Sequence, residues 1–157
     1  MSSVDTEYTA IVTYWRANCP VVEARRSYRH LGGELFDRPK IVLSATPTLT
    51  TLQALVWIAL SIQGVPGSAR PQGISPTSTG HREGLIFQQV FYPFGHGFDF
   101  VLPIVDLARA VFHRKSLSIA LVQCRDSDAP VRVDVPEGTA EGWGQYNVVT
   151  PYWVREA

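Results

Sequence analysis

The chain has 157 residues, with 14 Lys and Arg balanced by 14 Asp and Glu, so its formal net charge is zero. That length fits one domain, residues 1–157, able to bury about 68–70% of its unfolded surface. With 45% hydrophobic and 18% charged residues, the composition lies far from the disordered signature. The charge balance excludes a basic footprint for gripping nucleic acid, and an acidic tail as well. The longest apolar run, Ala54 to Leu60, has seven residues. A membrane-spanning helix needs about 18 or more. The opening MSSVDTEYT has neither a positive cluster nor an apolar stretch, so we expect no signal peptide, no secretion by the usual route and no membrane partner.

The segment Asp5 to Cys19 predicts a helix. Tyr8, Ile11, Val12 and Trp15 fall at helical spacing on one apolar stripe. Asp5 is its expected N-cap and Pro20 its stop, and the stripe is expected to pack on a sheet. From Val21 to Thr51 the signal weakens: Val21–Arg25 reads as a short strand, Gly32-Gly33 as a turn, and Ile41-Val42-Leu43 as a second short strand. Arg25, Arg26, Arg29, His30, Arg38 and Lys40 make this the basic part of the chain, read as a solvated face.

Leu52 to Gln63 is apolar on both sides, and its Val56, Trp57, Ile58 and Ile62 favour a strand buried on both faces. Leu85 to Tyr92 is a second strand, ended by Pro93. Between them, Gly64 to Glu83 holds four Gly, three Pro and five Ser or Thr in 20 residues. We read the whole as a long hairpin: strand, extended arm, antiparallel strand. An arm this polar carries no core of its own, so it either stays mobile or orders against a partner.

Gly95-His96-Gly97 then turns the chain into a helix at about Leu102 to His113, with Ile104, Ala108, Val111 and Phe112 on its core face. Pro103 is tolerable in its first turn. Asp106 stands three residues before Arg109, an ion-pair spacing. Ser116 to Cys124 reads as a strand with Leu117, Ile119 and Leu121 on one side. Asp126 to Gly142 reads as a polar loop, and Trp143 to Val154 as a last strand in which Tyr146, Val148 and Tyr152 alternate. The order predicts an α+β domain: a small, mostly antiparallel sheet, two helices packed on one face, and a long hairpin arm.

Chemistry is sparse. The chain has no GxSxG elbow, no HExxH and no Walker loop. The two cysteines, Cys19 and Cys124, lie in no CxxC pair. They read as semi-buried thiols in a reducing cytoplasm, a disulfide between them staying open, and two scattered thiols make no tetrahedral zinc site. His81, Glu83, His96 and His113 have no spacing that places two imidazoles on one face. They read as surface and turn residues. Asp99 and Asp106 flank a helix start and need no catalytic role. We therefore expect no enzyme, no metal and no cofactor.

The second half is familiar as a pattern. It is carried by the Trp57 strand, Arg82-x-Gly84 opening the next strand, Phe91-x-Pro93-x-Gly95-x-Gly97, Ala108-x-x-x-Phe112 on the helix, and the final Trp143 strand. In this order, over about Leu52 to Arg155, it resembles the tail terminator and neck-type proteins of long-tailed (siphovirus-type) bacteriophages. The resemblance implies a structural virion protein whose protomers form a hexameric ring on the tail tube, stop its polymerisation, and offer a joining surface to head-completion or connector proteins. It brings no catalytic or cofactor residues. DNA passing through such a ring meets it at most non-specifically. In that setting the arm is expected to contact the tail tube or a neighbouring subunit, through Arg70, His81 and Arg82. Two alternatives remain beside it: a head-to-tail connector or tail-completion protein, and a small cytoplasmic ligand-binding domain or enzyme with the 64–83 loop as a lid.

Overall fold

Two long antiparallel strands, β4 (Gly80–Pro93) and β8 (Trp143–Arg155), form the middle of the sheet. They pair without interruption from His81 opposite Arg155 to Pro93 opposite Trp143. The computed structural model describes residues 4–28, 46–64, 70–71, 80–117, 122–133 and 142–155. Each long strand carries two shorter ones on its outer side. β2 (Trp57–Gly64) and β3 (Arg70–Pro71) flank β4, while β6 (Val122–Cys124) and β7 (Val131–Val133) flank β8. At the edges, β1 (Arg26–Tyr28) runs parallel to β2 and β5 (Ser116–Leu117) antiparallel to β6. The fold is α+β, with a mixed eight-stranded sheet and three helices among the described residues: α1 (Val4–Asn18), α2 (Leu49–Leu55) and α3 (Leu102–Phe112).

The period of two along the strands decides which face is core. Ile58, Leu60 and Ile62 of β2, Ile86, Val90 and Tyr92 of β4, and Val148, Tyr152 and Val154 of β8 all point to one face and are buried. On that face lie Ile11 and Trp15 of α1 and Val105, Ala108, Val111 and Phe112 of α3. Gln88 sits at the centre of this face with no exposed surface. Its side chain accepts from the Trp15 indole N–H at 3.0 Å and donates to the Ala108 carbonyl at 2.7 Å. One buried amide thus ties both helices to the sheet without leaving a polar group orphaned.

Several expectations change. The strand expected over Leu52–Gln63 divides into α2 and β2. Thr48 Oγ1 accepts from the Thr51 N–H and caps α2, and Val56 leaves helical geometry at φ −63°, ψ 134°. The strand expected over Ser116–Cys124 is the β5–β6 hairpin, with residues 118–121, including Ile119 and Leu121, outside the described residues. Val21–Arg25 is not a strand: Glu23–Arg25 form a 3₁₀ turn and the strand follows at Arg26, parallel to β2, which makes the sheet mixed. Arg26 is not a solvated charge either. Its guanidinium donates to the carbonyls of Val21 and Arg16, each at 2.8 Å, tying the end of α1 to β1. α1 begins at Val4, so Asp5 lies inside the helix rather than capping it. Arg109 donates to the Ser127 carbonyl at 3.0 Å instead of pairing with Asp106, because the chain after β6 crosses its end of α3. Gly32-Gly33, Ile41–Leu43 and residues 65–69 and 72–79 of the arm lie outside the described residues. β4 starts at Gly80, so the last four arm residues, 80–83, belong to the strand. No helix among the described residues is long and apolar enough to cross a membrane.

Candidate interaction surface

The β4–β8 ladder ends differently at its two extremities. At one end the register sets His81 of β4 beside Arg155 of β8 on the face opposite the helices, and pairs the backbone of Arg70 of β3 with His81. One step in, Glu83 faces Trp153, and Trp153 faces Gln123 of β6. The Glu83 carboxylate lies 3.9 Å from His81 Nε2 and accepts from Arg125 Nη2 at 3.2 Å. His81, expected as an interface contact, therefore sits in this row; Arg70 joins it by backbone register.

Arg82 points to the other face. Its guanidinium lies 3.0 Å from Glu7 Oε2 of α1, and Glu7 is only 5% exposed. The second oxygen of Glu7 accepts the hydroxyl hydrogen of Tyr152. Burial first, then the Glu7 hydrogen bond and charge, hold the Tyr152 phenol well above its ordinary range. A buried carboxylate with two partners on two strands is a lock on α1, and Arg82 serves that lock. Sequence reading missed Glu7, because a glutamate on the first helix carries no sign of a partner 75 positions away (82 − 7).

At the opposite end the aromatic residues converge. Trp57 stacks on Phe91 with ring centroids 3.9 Å apart and meets Trp143 edge-on at 6.2 Å. These three are buried in a second small cluster, with Leu55 packed against it. The turn that follows has Gly95 at φ 92° and Gly97 at φ 78°, backbone that glycine adopts without strain. It leaves Phe94 66% and Phe98 37% exposed, and Arg132 stands over the Phe98 ring at 5.0 Å.

Other candidates disperse. His113 accepts the Ser127 N–H on Nδ1 and lies 3.9 Å from Asp126, while His96 is exposed in the glycine turn. Among the described residues no three His, Cys, Asp or Glu side chains gather to hold a metal ion. Both cysteines are free thiols. Burial raises both, and pushes Cys124 up to about 12. A groove of about 670 Å³ runs along the outer side of α1, between Thr6, Thr9, Ala10, Thr13, Tyr14, Ala17 and Leu117 of β5. Among the described residues that line it there is no acid, histidine or cysteine.

No family model matches the chain, and no curated protein matches it. Among solved structures it is similar to a chain named Np_888769.1, at 12% identity and a TM-score of 0.56, over 98% of this chain and 96% of the other. At that identity the likeness is one of overall fold alone.

Proposed function

We propose that this chain is a tail terminator of a long-tailed bacteriophage, a structural protein that caps the tail tube as a ring and offers a surface to the neck. The observation that carries the reading is the convergence of three of the five resembling pieces. The Trp57 strand, the Phe91-x-Pro93-x-Gly95-x-Gly97 stretch and the Trp143 strand are far apart in sequence, yet they meet at one end of the sheet. There they hold a glycine-shaped turn that presents Phe94 and Phe98 to the outside, beside Arg132. Aromatic residues and Arg on a rigid support are the usual anchors of a protein interface. The partners in this reading are other copies of the chain, the tail tube protein and a head-completion or connector protein, and its place is the virion.

Electron microscopy of lysates from a phage lacking the gene tests it. Overlong, headless tails of variable length support the terminator. Tails of normal length beside unattached full heads point to a joining role, and normal virions overturn both.

A further inference from the structure

We propose that His113 is a pH-sensitive latch: its neutral ring holds Ser127 against the end of α3, and protonation releases the crossing 125–130 between β6 and β7. His113 is the C-cap of α3, and its Nδ1 accepts the Ser127 backbone N–H at 3.0 Å. A ring nitrogen accepts only while it carries no proton, so in the closed corner the neutral ring has its hydrogen on Nε2. The imidazolium carries a hydrogen on both nitrogens and has no acceptor left. Protonation therefore turns this contact into two N–H groups facing each other.

Ser127 is only 3% exposed, so its N–H does not find water in exchange. Its carbonyl accepts from Arg109 at 3.0 Å and its hydroxyl meets that of Thr150 on β8 at 2.7 Å. These ties use other atoms and do not replace the lost acceptor. The rest of the crossing is sparsely held. Arg125 N–H bonds the Pro151 carbonyl, Asp128 N–H bonds the Val149 carbonyl, and Pro130 has no N–H to give. Arg125, Asp126, Asp128 and Ala129 are all exposed. Backbone of this kind opens locally without the rest of the fold.

The charges around the ring favour the neutral form in the closed corner. Asp126 Oδ1 lies 3.9 Å from Nε2 and alone draws a proton there among the described carboxylates. It is already gripped by both Nε and Nη2 of Arg114, and its side chain is 62% exposed, so its pull is weak. Arg109, one turn earlier on α3, and Arg114, next in the chain, oppose a further positive charge, as does the exposed Lys115. Arg125 turns away to Glu83, and Asp128 is exposed. β8 sets Val149, Thr150 and Pro151 against the crossing, none of which titrates, and α1 brings Tyr14 to the neighbouring Phe112. The closed corner thus binds one proton fewer than the open one, and acid favours opening.

Nitrogen-15 NMR with amide hydrogen exchange on the full chain, from about pH 8 to about pH 5, tests the latch. At the alkaline end the His113 ring should carry its hydrogen on Nε2. As the ring titrates, protection of the Ser127 and Asp128 amides, relative to the unfolded rate at each pH, should fall by roughly tenfold or more. Ile58 and Val90, paired inside the sheet, should keep theirs. His113→Asn puts an amide oxygen that does not titrate in the place of Nδ1, and its corner should stay closed throughout. Three results each overturn the latch: a neutral ring with its hydrogen on Nδ1, Ser127 protection unchanged through the titration, or acid loss of protection in His113→Asn as in the wild type. If circular dichroism shows that His113→Asn does not fold, the tautomer and the wild-type protection series decide alone.

Discussion

The ring of Tyr152 lies across Gly84, the residue directly opposite it on β4, so closely that a Cβ on Gly84 would stand 2.4 Å from the ring. The same arrangement recurs in reverse at the other end of the ladder. There Tyr92 of β4 covers Gly144 of β8, with 2.4 Å between its ring and an added Cβ. Each tyrosine is 1% exposed, so neither ring has room to move aside.

Gly84→Ala and Gly144→Ala are each expected to destabilise the fold by about 1–3 kcal/mol through overpacking. Gly64→Ala is the control. Gly64 pairs with Gly84 on its other side, yet nothing stands within 4 Å of an added Cβ. Its change should stay within about 0.5 kcal/mol. Urea unfolding midpoints compare the three, and equal effects at Gly64 and Gly84 would refute the close-packing account.

Arg82→Met removes the cation beside Glu7 and leaves a carboxylate buried. The expected loss is about 3 kcal/mol, the low end for breaking a buried pair because Arg82 is 22% exposed. Glu7→Gln/Arg82→Met should cost less than Arg82→Met alone, since no charge is stranded. A double-mutant cycle by chemical denaturation measures the difference. An Arg82→Met protein as stable as the wild type returns Arg82 to the surface role expected from sequence.

Gln88→Met keeps the volume but leaves the Trp15 indole N–H without its acceptor in the core. The expected cost is about 1–3 kcal/mol. Thermal unfolding reads the cost. Hydrogen exchange at the Trp15 indole should quicken, and an unchanged exchange rate would show that the amide bridge is not what holds α1.

Stability should fall in alkali. The Cys124 thiol rises from 9.0 to about 12 in the folded protein, through burial, and the Tyr152 phenol also rises above its ordinary 10.0. Folded chains keep these protons where unfolded chains release them, so unfolding gains from rising pH. The loss begins at about pH 9 for the thiol and about pH 10 for the phenol. Urea midpoints from about pH 8 to about pH 11 trace it, and Cys124→Ala should lessen the earlier part, to which the half-buried Cys19 thiol, also raised, contributes the rest. At about pH 8 the Cys124 thiol should resist a disulfide reagent until the protein unfolds.

Local pattern by itself determined the α+β class, the helices α1 and α3, the strand β8 to within one residue, the strand β4 apart from its first five residues, and the Gly95–Gly97 turn. Their causes are local: apolar residues at helical or alternating spacing, Pro20 and Pro93 as stops, and glycine where φ turns positive. Leu52–Gln63 misled because a run apolar on both sides has no period, and only the Thr48 cap separates helix from strand there. For the candidate surface, His81 and Arg82 were visible as arm residues, but adjacent strand positions face opposite sides of a sheet. Register alone sent His81 to the row of Arg155 and Arg82 to Glu7. Sheet order, the tie from Trp15 through Gln88 to Ala108, and the tyrosines over Gly84 and Gly144 were decided by tertiary structure. Each joins residues that sequence separates widely. A contact of that kind leaves no trace in local composition, because it exists only once both strands have paired.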